Sequence, residues 1–463
     1  MIRPQLSDKV ISDLTAKDNM RELCALMLYE VYENGAYTNL VLKKCDQIAG
    51  GRDLHIRSLR AMLYGTVTYT YTIDFLIKHI AKRDVSEFDG FVRTLLRFGS
   101  WQILFSTQIP VFAAVSETVN IADKYCPNAK GLINAVLRKI AEAPEEDRDP
   151  DRFRPDVACS LKSEIYGIFK RDYGKERALD IGKAFLRQPK LTIRFDPSKI
   201  SAEELEIRLA EESFSVFPGA VLPEIRTVDA GMSGLERSGC FREGLFFVQN
   251  EAAAIASHIA SPQKGMKILD CCAAPGGKAT HLSELTNGDS DILALDINSS
   301  RMELLSQNIR RLGIGNIRTD ICDATDMSGI KEEFDIVLAD CPCSGLGLIG
   351  RKPDIRLNIT YDKIKELLDV QKMIIREAAS KVKVGGAFIY CTCTVNKDEN
   401  ERQILKFLEE NSNFKASSIL PYLPSDMIID DGRKEDARNG YLTLLPDTDG
   451  CDGFFISRIE RIS

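Results

Sequence analysis

The sequence predicts an α/β domain on a mostly parallel sheet in its C-terminal part, preceded by an all-α bundle and a small α+β segment. Three observations predict it. From residue 265 onward apolar strands and helices alternate, the pattern of a parallel sheet wound with helices on both faces. Residues 1 to about 140 carry apolar stripes at three- and four-residue spacing. At 268–279 an apolar strand stops at an acid, passes a small-residue turn and opens a helix, which is where a nucleotide-like cofactor sits in an open α/β sheet.

Taken in order, Leu23, Leu26, Met27 and Val31 mark a helix that Gly35 ends. Further stripes run through Leu59, Met62 and Leu63, through Ile73, Leu76, Ile77 and Ile80, through Leu95, Leu96 and Trp101–Leu104, and through Leu132, Val136 and Leu137. This bundle spans residues 1–141 and shows no chemistry of its own. Residues 142–156, rich in charge and proline, read as a linker. An extension spans 157–250, with helical periodicity to 189, a strand at Leu191–Phe195, a helix near 202–212, and strands near Ile225-Arg226 and Leu245–Val248. The α/β domain spans 251–463. Its strands are Lys267–Asp270, Ile292–Asp296, Ile317–Ile321, Phe334–Asp340 and Ala387–Tyr390, with helices near 279–286, 299–312, 361–383 and 398–411. Gly453–Ile459 pairs with Tyr441–Leu445 as an antiparallel edge.

Composition excludes several classes. With 463 residues, 44% hydrophobic and 8% aromatic, the chain reads as an ordinary globular protein of about three domains. No stretch approaches the roughly 20 apolar residues of a membrane span. The start lacks a signal-peptide apolar core, and 13 cysteines without such a signal point to reduced thiols, so a cytoplasmic monomer is expected. Net charge is −7, against a uniformly basic nucleic-acid binder. It is uneven, however: residues 1–140 hold 18 Lys and Arg against 14 Asp and Glu, so +4, and the rest carries −11.

The turn at 272–278 excludes two better-known loops. A Walker A loop needs glycine where Cys272 stands and Ser or Thr where Ala279 stands, and a dinucleotide loop needs G-x-G-x-x-G. Asp296 ends the next strand 26 residues after Asp270, placed to accept from two ribose hydroxyls; the blander reading is a helix cap, which Asn298-Ser299-Ser300 supply without it. Asp323 alone reads as a turn residue. Asp340-Cys341-Pro342-Cys343 and Thr392-Cys393 end adjacent strands at the ligand-binding edge of the sheet. A metal there fits poorly, because structural zinc prefers two residues between paired cysteines. Buried, inert thiols suit Cys271, Cys322, Cys341 and Cys391. Nucleophilic catalysis suits one or both of Cys343 and Cys393, with Lys278 as a positive group able to lower a thiol pKa.

At this point a resemblance becomes specific. Cys272-Ala273-Ala274-Pro275-Gly276-Gly277-Lys278 resembles motif I of the RNA 5-methylcytosine methyltransferases of the NOL1/NOP2/Sun family. Leu295-Asp296, Asp340-Cys341-Pro342-Cys343-Ser344-Gly345 and Tyr390-Cys391-Thr392-Cys393-Thr394 follow in that family's order, and the whole chain is similar to members acting on small-subunit rRNA. The resemblance implies a class I Rossmann-like methyltransferase domain, with a seven-stranded sheet and a reversed last strand. It implies S-adenosylmethionine as cofactor, held by Cys272, Ala273, Ala274, Pro275, Gly276, Gly277, Lys278, Asp296, Asp323 and Asp340. Asn34-Gly35-Ala36-Tyr37, Leu63-Tyr64-Gly65 and Asn134–Arg138 resemble a NusB-like RNA-binding domain, and 157–250 resembles an RNA-binding extension. The implied substrate is a cytosine of 16S rRNA, at position 967, free or in a partly assembled subunit. Of the two thiols the resemblance assigns Cys393 to attack and Cys343 to product release, with Asp340 contacting the ring. It places Lys278, Arg351 and Lys352 on RNA, although Arg351-Lys352 by itself reads as an exposed charged turn. Cys341 and Cys391 stand where the family has alanine and serine, small changes that leave the mechanism intact.

Overall fold

The computed structural model describes residues 4–49, 53–229 and 232–463. They group into two compact units, one holding the residues up to Gln188 with Ile349–Asn358, the other Pro189–Leu348 with Ile359–Ser463.

The first unit is helical. Met20–Glu33, Gly90–Leu104 and Lys130–Glu142 bury Leu23, Met27, Leu95, Leu96, Val136 and Leu137 in one core, as their spacing on single helix faces requires. Ser7 and Asn19 cap the helices Asp8–Ala16 and Met20–Glu33 by accepting from the Val10 and Glu22 amides. Gly65, in Asp53–Thr68, sits where a Cβ would strike the Trp101 ring, so this helix and Gly90–Leu104 pack closely only with glycine there.

The stretch 142–156, expected as a linker, is ordered. Helical turns at Glu145–Arg148, Pro150–Arg152 and Pro155–Ala158 fill it, two of them opening on a proline whose missing N–H would have no helical partner anyway. Val157 and Ala158 are buried, and Thr72 Oγ1 donates to Val157 O at 2.6 Å. The helices Ser163–Tyr173 and Lys175–Ala184 belong to the same unit, so the chain divides at Gln188–Pro189 rather than at 156–157. Ile349–Asn358 joins this unit through Arg356. Its buried guanidinium donates to the carbonyls of Cys159, Ser160 and Phe185, each at 2.8 Å.

The second unit opens with a four-stranded antiparallel sheet of β1 (Leu191–Phe195), β2 (Ser215–Pro218), β3 (Ile225–Asp229) and β4 (Phe246–Val248), in the order β2-β3-β1-β4. β2 has no sequence signal because it is an exposed edge ending in proline. The helix Ala202–Glu211 packs Leu205 and Leu209 on this sheet.

The larger sheet holds β5 (Lys267–Asp270), β6 (Asp291–Asp296), β7 (Ile317–Ile321), β8 (Phe334–Asp340), β9 (Val382–Thr392), β10 (Phe414–Ala416), β11 (Tyr441–Leu444) and β12 (Phe454–Arg461). The order β10-β12-β9-β8-β5-β6-β7 is parallel from β9 to β7, and β12 runs antiparallel to β9. The reversed last strand is as expected, but it is not an edge: β11 and β10 pair in turn with the two halves of β12, so eight segments fill seven positions. Alternation along β5 sends Ile268 to one face, under the helix Glu251–Ala260, and Leu269 to the other, with Ile374 and Ile375 of the helix Tyr361–Ser380. The strand order reverses between β5 and β8, which opens a crevice at their carboxyl ends. Among the described residues no helix is long and apolar enough to cross a membrane.

Candidate active site

Asp270, Asp340 and Cys393 gather at the crevice because β5, β8 and β9 are parallel neighbours, in register at Asp270 with Leu338 and at Asp340 with Cys391. After β5 the chain turns through Cys272–Gly276 into the helix Gly277–Leu285. Gly276 has φ +110°, and a Cβ there would collide with Leu305, so the turn requires glycine. The Ala273 amide donates to Leu295 O at 2.7 Å, Asn308 Nδ2 to Pro275 O at 3.1 Å, and Arg301 to Ala274 O. Asp296 is buried; its Oδ2 accepts from the Ala274 amide at 3.3 Å and pairs with Arg301 at 3.2 Å. Asn298 caps the following helix, Ser299–Leu312, so Asp296 is not needed as the cap. Asp323 is exposed and its Oδ1 accepts from the Thr325 amide and hydroxyl at 2.8 and 2.7 Å, the turn geometry its neighbours suggest.

Lys278, Asp270 and Asp340 form a charge group in which the first two are buried and Asp340 is half-buried. Lys278 Nζ donates to Asp340 Oδ2 at 2.6 Å and lies 5.0 Å from the centroid of the Phe454 ring. Burial works against this ammonium, but Asp340 and its neighbours win and raise its pKa. The cation that the sequence offers for thiol activation is therefore paired with Asp340. Asp270 is 1% exposed, and among the described residues no donor meets its side-chain oxygens in good hydrogen-bond geometry, the backbone of Cys272 coming nearest. Burial raises its pKa to about 7, with Lys278 opposing and Asp340 assisting.

Cys343 lies just past β8 and Cys393 just past β9, with their Sγ atoms 3.2 Å apart. The Cys343 thiol is pushed well up, first by this contact and then by burial. Cys271, Cys341 and Cys391 are buried with thiols raised by burial, as inert packing residues should be. Cys322 was expected among them but is only partly buried, because it ends on the exposed loop that Asp323 turns. Arg351 and Lys352 lie on Ile349–Asn358, in the other unit.

Three features carry no sequence signal. Arg194 of β1 is fully buried and binds the helix Gly277–Leu285, donating to Gly277 O at 2.8 Å, Thr280 Oγ1 at 3.0 Å and Glu284 at 2.7 and 3.0 Å. Glu399, wholly buried, links the two cysteine loops. Glu224, His258 and His281 bring potential ligand atoms within 4.8 Å of one another. His258 Nε2 lies 2.7 Å from Glu224 Oε1, while burial and then Arg194 lower the His281 pKa to about 3.

Comparison with known proteins gives two family matches, 16S rRNA methyltransferase RsmB/F over residues 257–460 and the NusB family over residues 18–142. A probable ribosomal RNA small subunit methyltransferase B of Synechocystis is 30% identical over 450 residues, 95% of this chain and 99% of that one. The probable enzyme of that name from Bacillus subtilis is 30% identical over 455 residues, 96% and 99% of the two chains. Among solved structures, PH0851 matches with TM-score 0.76 and 26% identity over 99% of both chains. NSun6 from Pyrococcus horikoshii with SFG matches with TM-score 0.58 and 22% identity, covering 65% of this chain and 98% of that one, and shares the fold.

Proposed function

The chain belongs to the ribosomal RNA small subunit methyltransferase B family, whose cofactor is S-adenosylmethionine, and we propose that it methylates carbon 5 of a cytosine in 16S rRNA, at position 967, through a covalent bond to Cys393. The observation that carries this reading is the pair of thiols 3.2 Å apart at the carboxyl ends of adjacent strands, beside the Lys278–Asp340 pair.

The residues fit the cofactor. Asp270, buried and with no well-formed hydrogen bond among the described residues, suits the ammonium of its amino-acid end, and Asp296 suits the ribose hydroxyls. The turn that only glycine can make at Gly276 keeps the 272–277 backbone free to approach a ligand. When bound, S-adenosylmethionine supplies an electrophilic methyl group.

Carbon 5 of cytosine is a weak nucleophile. The Cys393 thiolate adds to carbon 6, and the electron pair of the 5,6 double bond becomes available at carbon 5 to take the methyl. The carbon 5 proton then leaves to a base, the double bond reforms, and the Cys393–carbon 6 bond breaks. Cys343, in contact with Cys393, is placed to assist that release. Asp340 accepts from the exocyclic amine and so orients the ring, and the Lys278 ammonium bound to Asp340 is the positive group that offsets the negative charge building there. The helical first unit, matched in part by the NusB family, supplies RNA contacts, with Arg351 and Lys352 on backbone phosphates.

The test is to incubate the enzyme and S-adenosylmethionine with 16S rRNA from cells lacking this gene, then map 5-methylcytosine by bisulfite sequencing. Protection at position 967 is expected. Methyl groups on another base, or on rRNA of the large subunit, would overturn the proposal.

A further inference from the structure

We infer that Glu399 is a positioning residue: it ties the loop carrying Cys343 to the loop carrying Cys393, and so sets which thiol attacks and which assists release. The inference rests on the cysteine roles proposed above. Glu399 Oε1 accepts from the Ser344 amide at 2.7 Å and from Gln371 Nε2 at 3.2 Å. Its Oε2 accepts from Ser344 Oγ at 2.6 Å and Asn396 Nδ2 at 2.9 Å. Ser344 follows Cys343, Asn396 stands three residues beyond Cys393, and Gln371 comes from Tyr361–Ser380. Gln371 also donates to Pro342 O at 3.0 Å, and Ser344 Oγ lies 2.8 Å from Thr394 Oγ1. One carboxylate thus fixes three segments. Its own backbone is anchored in turn, because Tyr390 OH donates to Glu399 O at 2.6 Å and Asn400 bonds Thr392 Oγ1 and Thr394 O at 2.5 and 3.0 Å. The 3.2 Å spacing of the two sulfurs follows from this frame.

Charge adds to geometry. A fully buried carboxylate usually faces a cation, whereas Glu399 accepts from five donors, the fifth being Thr394 Oγ1 at 3.4 Å, and among the described residues has no ion-pair partner. Cys343 is disfavoured as a thiolate first by its contact with Cys393, then by burial, and the Glu399 charge adds to both. Cys343, so surrounded, is suited to carry a proton rather than to attack.

Glu399→Gln keeps the shape and removes the charge. Its amide oxygen faces the Ser344 amide and Gln371, while its NH2 faces Ser344 Oγ, which can accept, and Asn396, whose amide can turn only by giving up the Asp398 amide at 3.2 Å. Ser344→Ala removes one tether and leaves the charge. Wild type, both variants and Cys343→Ala are compared on ordinary 16S rRNA under turnover and on rRNA with 5-fluorocytidine at the target, with adducts mapped by peptide mass spectrometry. Glu399→Gln is expected to bind S-adenosylmethionine like wild type and to stay folded with a slightly lower melting temperature, yet to lose roughly tenfold or more in kcat, as loss of charged hydrogen bonds implies. Its KM for rRNA stays unchanged, and it accumulates a covalent complex with ordinary cytosine. Its 5-fluorocytidine adduct appears on Cys343 as well as Cys393, whereas Ser344→Ala confines the adduct to Cys393. Wild-type turnover in Glu399→Gln with adduct on Cys393 alone would overturn the inference. So would activity that falls only in step with cofactor affinity and melting temperature. A wild type with no adduct on Cys393 would overturn instead the cysteine assignment beneath it.

Discussion

Two neighbouring glycines in the turn after β5 should respond very differently to one added methyl group. At Gly276 an alanine meets φ +110°, a conformation L-residues avoid at a cost of roughly 1–2 kcal/mol, and its Cβ collides with the fully buried Leu305. Overpacking of a dense core adds roughly 1–3 kcal/mol, so Gly276→Ala should cost about 2–5 kcal/mol. At Gly277, the first residue of its helix, a Cβ makes ordinary contact with Gln249 and Phe247 at 3.4 Å, and alanine favours a helix. Gly277→Ala should therefore lie within about 0.5 kcal/mol of wild type. Urea denaturation followed by circular dichroism measures both, and calorimetry with S-adenosylmethionine shows whether the loop still binds. A cycle with Leu305→Ala separates the two terms: making room should recover the overpacking part of the Gly276→Ala cost and leave the backbone part. Equal costs at the two glycines, or no coupling to Leu305, would refute the reasoning.

The acid beneath the loop should titrate with the cofactor. Burial lifts Asp270 to about 7, so near pH 7 the free enzyme holds part of a proton that a bound ammonium expels. Calorimetry in buffers of different ionisation enthalpy should show proton release that Asp270→Asn abolishes, with affinity rising up to about pH 7; buffer-independent heats would contradict this. His281 acts on stability instead. Burial lowers its pKa to about 3 from an ordinary value near 6.5, so the unfolded chain binds the proton more tightly. Its contribution is complete above pH 6.5 and is lost as pH falls towards 3. His281→Gln should flatten that acid limb in denaturation midpoints. In the first unit, Arg356→Ala orphans three carbonyls and should cost roughly 2–4 kcal/mol, read by fluorescence of the single tryptophan, Trp101, in the same unit.

The sheet was legible because β5, β6, β8 and β9 are nearly continuous apolar runs, each ending where the motif residue stands. That places Asp270, Asp296, Asp340 and Cys393 at one edge before any contact is known. The helix Glu251–Ala260 was not read, since it is apolar on nearly every face and has no stripe. The docking of Ile349–Asn358 was invisible for a different reason: Arg356 finds its carbonyls 171–197 residues away in sequence. Glu399 hides in Lys397-Asp398-Glu399-Asn400-Glu401, a run that looks like the solvated start of a helix. Only tertiary packing buries it. The motifs thus announced the groups proposed to react, while the residues that hold them together answer to contacts from elsewhere in the chain.

The central claim is that Cys393 bonds to the target base. Small-subunit rRNA carrying 5-fluorocytidine at the target traps such a bond, because fluorine cannot leave as the carbon 5 proton does. Wild type, Cys393→Ala and Cys343→Ala would each be incubated with it and S-adenosylmethionine and run on a denaturing gel. A covalent band is expected with wild type and with Cys343→Ala, and none with Cys393→Ala. A band lost only with Cys343→Ala would exchange the two roles, and no band with wild type would contradict covalent catalysis altogether.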